Sequence, residues 1–406
     1  MAASQNVNSP SNVKYYSIFL FIAVILSGCE VDQKDIQPEN EFIKIYNHPD
    51  TEIAYHPAGI LQLSDGGYLI LSGVKVDTSV IEYPHANLIK TNSLGEVEWT
   101  RDYDLFAPSP RLFQRTGSMG FVAMDLQLNA YAVEINTSNG DVTGQHDLQL
   151  AMPLYSYVDK QNNLIVLGYD YVSRSSWISL FDGSFGLQRS VKVNVEKDLE
   201  NVIQKHMNKS GTQFPFFIGE FTEGSQSGYY VNCFYNYTLR TVFFESAGLT
   251  MLGNIYSFQT EEAVSSLIQR TGNQYALTRF YSNNNYLLGD VEVDISTSQN
   301  FNDITGDILN ELVHDAKVLS KQITVGSTSY LLFASQTNSN SMVTYQHAAD
   351  ADSLIATHYH LFNERVEVAD IIQTKEEGVA LLGKIYILGK YQRPVLVKLP
   401  VRTFSP

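Results

Sequence analysis

Apolar residues in this chain fall in short runs separated by turns, and the fullest example lies between Gly59 and Tyr103. Ile60, Leu61 and Leu63 form one run, and Tyr68-Leu69-Ile70-Leu71 forms a second. Ser64-Asp65-Gly66-Gly67 lies between them, where glycine supplies the positive φ of a tight hairpin. A polar loop from Lys75 to His85 leads to Asn87-Leu88-Ile89-Lys90, and Asn92-Ser93-Leu94-Gly95 makes another turn. Glu96-Val97-Glu98-Trp99-Thr100-Arg101 then alternates polar and apolar, as a strand with one wet face does. The continuous runs predict strands buried on both faces, and the alternating run predicts an outer strand. The stretch therefore reads as four antiparallel strands graded from buried to exposed.

Diluted copies follow. Two apolar residues and a glutamine recur as Ile60-Leu61-Gln62, Leu112-Phe113-Gln114, Val202-Ile203-Gln204, Leu267-Ile268-Gln269 and Ile371-Ile372-Gln373. Units without the glutamine begin at Val158-Asp159 and Val318-Leu319, and each leads to a second apolar run, Leu164–Leu167 and Tyr330–Phe333. The anchors are spaced by roughly 50 residues, the period of a four-stranded propeller blade. Counting units predicts an all-β chain, a seven-bladed β-propeller of four-stranded antiparallel blades over residues 41–406. An insertion is expected over His206–Gln213 and Ser246–Glu261, and a short helix over Asp307–Val313. The last unit has only three strands before Pro406. Phe42-Ile43-Lys44-Ile45-Tyr46 precedes the first unit and alternates like an outer strand, so this N-terminal strand is expected to close the last blade.

The N-terminus carries an address. Lys14 precedes the apolar run Ser17–Leu26, which is shorter than the ~20 residues of a membrane-spanning helix and reads as a secretory signal. Leu26-Ser27-Gly28-Cys29 resembles the lipobox of bacterial lipoproteins. The resemblance implies a signal peptide over 1–28, cleavage before Cys29, and acylation of Cys29, palmitate included, which would tie the protein to a membrane. Residues 29–40 are polar and read as a tether. Glu30, Asp32 and Asp35 resemble the acidic residues that accompany export in Bacteroidota-type lipoproteins, so a cell-envelope location at the outer membrane is expected. With Cys29 lipidated, Cys233 has no disulfide partner and is expected to pack as a small buried hydrophobe.

Composition narrows the partners. The 25 Tyr and 21 Phe against only 17% charged residues suit a large packed β protein. The formal charge of −16 argues against nucleic acid as a partner.

Asp65-Gly66-Gly67-Tyr68, with Leu88-Ile89-Lys90, Gly95 and Trp99, resembles the repeat of secreted bacterial propellers related to the quinoprotein and kelch-like superfamilies. That resemblance implies architecture. Quinone enzymes of this kind carry Trp at nearly every blade and a basic, metal-bearing centre. This chain has only Trp99 and Trp177, so no cofactor is expected.

Candidate chemistry is sparse. The recurring glutamines either contact an axial ligand or bond backbone between blades, and the second reading is favoured. His358-Tyr359-His360 places two imidazoles on one strand face with no third ligand in spacing, so no metal site is expected there. Asp159–Asn163 and Asn338–Asn340 lack the register of a calcium loop. Asp65, Asp159 and Asp370 are acids of the type a glycosidase pair needs, and nothing in the sequence distinguishes any of them as catalytic. Aromatic and basic loop residues remain: Tyr55, His56, Tyr83, His85, Tyr169, Tyr171, Arg174, Tyr281 and Tyr286 are expected on a rim contact surface. The expected function is a lipid-anchored binding or scaffolding module for an envelope protein or glycan. The alternative is an envelope polysaccharide hydrolase or lyase with its site at the channel mouth.

Overall fold

The computed structural model describes residues 41–48, 52–76, 83–259, 262–314, 316–350, 352–387 and 391–405. The signal peptide, the tether and Cys29 lie outside the described residues. Among the described residues no helix is long and apolar enough to cross a membrane.

The apolar runs become strands, and the turns fall where the glycines are. Gly66 has φ 83° and closes the first hairpin, its N–H donating to the Leu63 carbonyl. Ile53–Gln62, Tyr68–Val76, His85–Thr91 and Val97–Phe106 pair in antiparallel order. Burial follows the hydropathy pattern: Tyr68–Val76 is buried over most of its length, and Val97–Phe106 is mostly exposed.

Five blade-sized sheets stand separately. Pro153–Val158 to Leu187–Asn194 form one, Ala263–Thr271 to Asp307–Ile308 another, and Leu319–Val325 to Leu354–Leu361 a third. A fourth runs from Phe217–Glu223 to Met251–Tyr256 and gains a parallel fifth strand, Ser298–Asn300. The fifth comprises Val366–Gln373, Val379–Ile387 and Tyr391–Leu399, with Phe42–Ile45 at its edge. The strands between Ile53 and Ala151 form one eight-stranded sheet. The expectation of seven separate four-stranded blades is therefore corrected. Val97–Phe106 does not end as a free outer strand, because Phe106 pairs with Met124 and joins two units into one sheet.

The inner strands form a closed ring. Pro153–Val158 lies beside Phe217–Glu223, that beside Ala263–Thr271, then Leu319–Val325, Val366–Gln373 and Ile53–Gln62. Arg111 bonds Ala58 and leads into Phe113–Arg115, which lies beside Pro153–Val158 and closes the ring. This is a β-propeller. Its seam is the edge strand Phe42–Ile45, which runs antiparallel to Tyr391–Leu399 with Phe42 opposite Lys398 and Ile45 opposite Val395. Phe42 and Tyr46 are buried there in one cluster with Tyr68, Ile70 and Leu396.

Two local expectations are corrected. Val202-Ile203-Gln204 is not an inner strand but part of the helix Glu200–Met207. Ile203 and Met207 share its buried face, with Glu200 in the first turn and Lys205 and His206 in the last. Asp307–Val313 is not a helix: Asp307–Ile308 pairs with Asn284–Glu292, and Leu312 bridges Thr337.

Candidate functional site: a cationic channel

The recurring glutamines tie sheet to sheet. Gln269 donates to the Thr222 carbonyl and accepts from the Thr222 N–H, both at 2.8 Å. Gln373 makes the same exchange with Thr324. Gln62 accepts from the Lys375 N–H at 2.6 Å across the seam. Gln204 lies in the helix and bonds Glu200, and Gln114 is exposed. The amides serve the frame, leaving the channel to other residues.

Two chambers open along the inner strands, of about 510 Å³ and about 240 Å³. The larger is walled by Tyr155, Tyr157, Phe216 and Phe217 and holds Arg111, Lys317 and Lys321. Lys160, Arg270 and Glu220 also line it, Arg270 paired with Asp290 and Glu220 accepting from the Tyr157 hydroxyl. The smaller holds His56, His206, Lys209, Lys384 and Glu367. Phe216 and Lys317 line both.

Arg111 is placed by backbone. It has φ 73°, and its N–H donates to the Ala58 carbonyl at 3.0 Å. Residue 59 must be glycine for this approach, since a Cβ there would stand 2.7 Å from the Arg111 Cα. Arg111 Nε donates to the Tyr155 hydroxyl at 2.6 Å, and its guanidinium lies 3.8 Å from Asp370. The neighbouring Tyr155 first, and then Asp370, hold it charged against the cost of burial. Asp370 is itself committed, accepting from the N–H groups of Ile60 at 3.1 Å and Ile371 at 2.9 Å.

The lysines divide into matched and unmatched. Lys384 pairs with Glu367 at 2.8 Å, and Glu367 also accepts from Arg365 and Tyr386. Lys317 and Lys321 make no side-chain hydrogen bond or ion pair among the described residues, and Lys209 reaches only Gln213 Oε1 at 3.3 Å. Burial pushes the Lys317 amine down to about 8 and the Lys209 amine down to about 7, the latter helped by the charges of Lys384 and Lys317. Burial also lowers Lys321, with Arg111 adding to it. His206 and His56 are held well below their ordinary value, by burial first and by nearby lysines second. His206 Nδ1 accepts from the Phe214 N–H at 3.0 Å.

Of the nine rim residues expected from sequence, His56 lies in the smaller chamber. Tyr55, Tyr83 and Tyr169 are buried. The Tyr169 hydroxyl accepts from the Leu199 N–H, so this side chain serves the core. His85 packs at a tilt on Phe106, and Arg279 packs over Tyr286. Tyr281 packs against a core cluster of the Ala263–Thr271 sheet. Tyr171 and Arg174 are exposed, Arg174 lying 3.8 Å from Asp198. The nine do not form one surface. Among the three acids weighed from sequence, Asp370 adjoins the channel, Asp65 pairs with Lys90, and Asp159 accepts from Tyr229 at 2.7 Å. His358 bonds Gln346 and packs edge-on to Phe404, and His360 lies 3.7 Å from Glu41. No group of His, Cys, Asp and Glu arranged to hold a metal occurs among the described residues. Cys233 is buried in the core.

Arg111, Lys209, Lys317 and Lys321 were not singled out by sequence. They lie far apart in the chain as isolated cations, and only ring closure brings them together. The nearest signal is the closeness of Lys317 and Lys321 in the chain, Lys321 within the strand Leu319–Val325 and Lys317 just before it.

Scans against protein-family models and against curated proteins give no match. Among solved structures the chain is similar to a catalytically inactive variant of virginiamycin B lyase from Staphylococcus aureus with quinupristin, at 12% identity and TM-score 0.49, over 89% of this chain and 100% of that one. It is similar to the Dos1 propeller at 10% identity and TM-score 0.46, over 88% and 95% of the two chains. It is also similar to the WD40 β-propeller domain of Doa1 at 7% identity and TM-score 0.48, over 88% and 95%. The assignment to the propeller fold rests on the ring of sheets described above.

Proposed function

We propose that this propeller is a binding module of the cell envelope that takes an anionic group of its partner, a protein or a glycan, in the cationic channel. One observation carries the reading: in a chain of net charge −16, Lys317 and Lys321 line a cavity with no acidic partner of their own. A half-buried ammonium loses hydration, and without a counter-charge that loss is uncompensated. A ligand carboxylate, sulfate or phosphate supplies the counter-charge. The closed ring suits the task, because a rigid wall holds the cations in place before the ligand arrives.

The reading is tested with inorganic phosphate. A ligand that binds only the folded state stabilises it by mass action, about 2.7 kcal/mol at a hundred times its Kd. Phosphate is expected to raise the melting temperature above that in chloride of equal ionic strength, and Lys317→Gln with Lys321→Gln to reduce the difference sharply. Equal melting curves in the two salts sink the proposal. The envelope location rests on Leu26-Ser27-Gly28-Cys29. It is checked by fractionation, in which Cys29→Ala is expected to leave the membrane fraction.

A second reading, an envelope polysaccharide hydrolase or lyase, draws on His56, His206 and the near-neutral Lys209 in the smaller chamber. It requires product formation from an acidic polysaccharide that His206→Ala loses.

A further inference from the structure

The two chambers share a wall, and Lys317 stands in it. On the larger side its electrostatic neighbours are Asp370 and Arg111, the same two that act on Lys321. On the smaller side its charge acts on Lys209. Lys384, also on that side, is taken by Glu367. Apart from the solvent-exposed Lys160 of the larger chamber, each chamber thus has one amine of its own without an acidic partner, Lys321 in one and Lys209 in the other, and Lys317 serves both.

A ligand with one anionic group satisfies only one side of this arrangement. Bound in the larger chamber, it leaves Lys209 beside Lys384 and His206 with no added negative charge. Bound in the smaller, it leaves Arg111, Lys317 and Lys321 sharing Asp370, whose oxygens already accept two backbone N–H groups. The surfaces between the cations are aromatic: Tyr155 and Tyr157 on one side, Phe216 at the junction and Phe214 on the other. Such walls suit flat or weakly polar faces lying between two charged groups.

We infer that the channel takes one linear ligand with two separated anionic groups, of the acidic-oligosaccharide type. Arg111, Lys321 and Lys317 hold the first group, and Lys209 and Lys317 hold the second. The inference rests on the reading of the channel as an anion site, and it adds the class of ligand and its orientation across the shared wall.

The test is calorimetric and uses the full chain. Inorganic phosphate is titrated first, at low ionic strength. Two phosphates per chain are expected. Lys321→Gln removes one, Lys209→Gln removes the other, and Lys317→Gln weakens both. Lys209→Arg keeps the charge and is expected to keep the second phosphate, which separates lost charge from lost folding. A ladder of oligogalacturonates of increasing length follows. Affinity is expected to step up about tenfold at the length where a second carboxylate reaches the second chamber, and Lys209→Gln erases that step. A single phosphate per chain overturns the two-group inference and leaves the anion site standing. Two phosphates with a ladder that shows no step also overturn it, because the chambers then act separately. No phosphate binding overturns both the inference and the function on which it rests.

Discussion

Lys90 and Lys317 are both largely withdrawn from solvent, and their surroundings are opposite. Lys90 lies between Asp65 at 2.9 Å and Glu98 at 2.5 Å, on the outer side of the first hairpins. Burial works against its charge, but Glu98 and Asp65 outweigh it and the pKa is raised. The rest of that wall is built the same way. Lys192 pairs with Asp170 at 2.6 Å and lies over Trp177, Arg101 pairs with Asp141, and Lys44 with Glu96. In the channel Lys317 and Lys321 have no such partner, and the Lys317 amine is pushed down to about 8. On this wall each of these cations meets a carboxylate, and the buried Arg115 and Arg279 are held instead by backbone carbonyls. Lys317 and Lys321 have neither, and on our proposal the missing charge is left for a ligand.

The largest test of this contrast removes part of the paired wall. Deleting Phe42–Tyr46 takes away the edge strand on Tyr391–Leu399 and two buried aromatics packed on Tyr68 and Ile70. Losing a buried aromatic costs about 3–5 kcal/mol, so calorimetry is expected to show a sharply lower melting temperature. An unchanged value would mean that the seam does not hold the ring closed.

Single lysines give the direct comparison. Lys90→Met leaves Asp65 and Glu98 facing each other. Both are half-exposed, so water offsets part of the loss, and about 1–2 kcal/mol of destabilisation is expected in urea unfolding. Lys317→Met removes an amine with no partner and adds apolar surface to the channel wall. It is expected to leave stability unchanged or to raise it by up to about 1 kcal/mol, while weakening phosphate binding. Equal losses in the two variants would erase the distinction.

Much of the frame was legible in the sequence, because frame residues act locally or repeat. The turn at Asp65-Gly66-Gly67 needs one positive φ, and Gly66 provides it. The glutamine after two apolar residues recurs because the same rung between sheets recurs, as at Gln269 and Gln373. Phe42–Tyr46 was readable as an edge strand, but burial does not follow its polar alternation: Phe42 and Tyr46 are buried while the apolar Ile43 and Ile45 are exposed. The misses have physical causes. Val202-Ile203-Gln204 fits the strand anchor over three residues, yet Ile203 and Met207 lie four apart on a helix face, a signal that needs a longer window. The join between two units turns on the single pair Phe106 and Met124, which leaves no pattern. The channel was illegible for another reason. Its cations come from a proline-flanked loop, from the loop after a helix, from a strand and from the segment just before it, and no spacing in the chain links Arg111 to Lys209 or Lys317.

The finest test uses pH, and its sign follows from the direction of the Lys317 shift. The amine has an ordinary value of 10.5 and about 8 in the fold, so between those values the unfolded chain holds the proton more tightly. Stability contributed at this site therefore rises with pH from about 8 towards 10.5, and the penalty is full and constant below 8. Lys209, at about 7, extends the window downward. Tyrosines with raised values, such as Tyr155, push the other way as pH nears 10, so the comparison belongs below about 9.5 and is read as wild type minus Lys317→Met. Over the same window the amine loses the charge that would hold an anion. Stability is expected to climb while phosphate affinity falls. Lys90 yields no such opposed pair of slopes, because its carboxylates keep it charged throughout. If the Lys317→Met difference is flat across pH 7–9.5, the amine is not held in its depressed state, and the contrast between wall and channel loses its electrostatic basis.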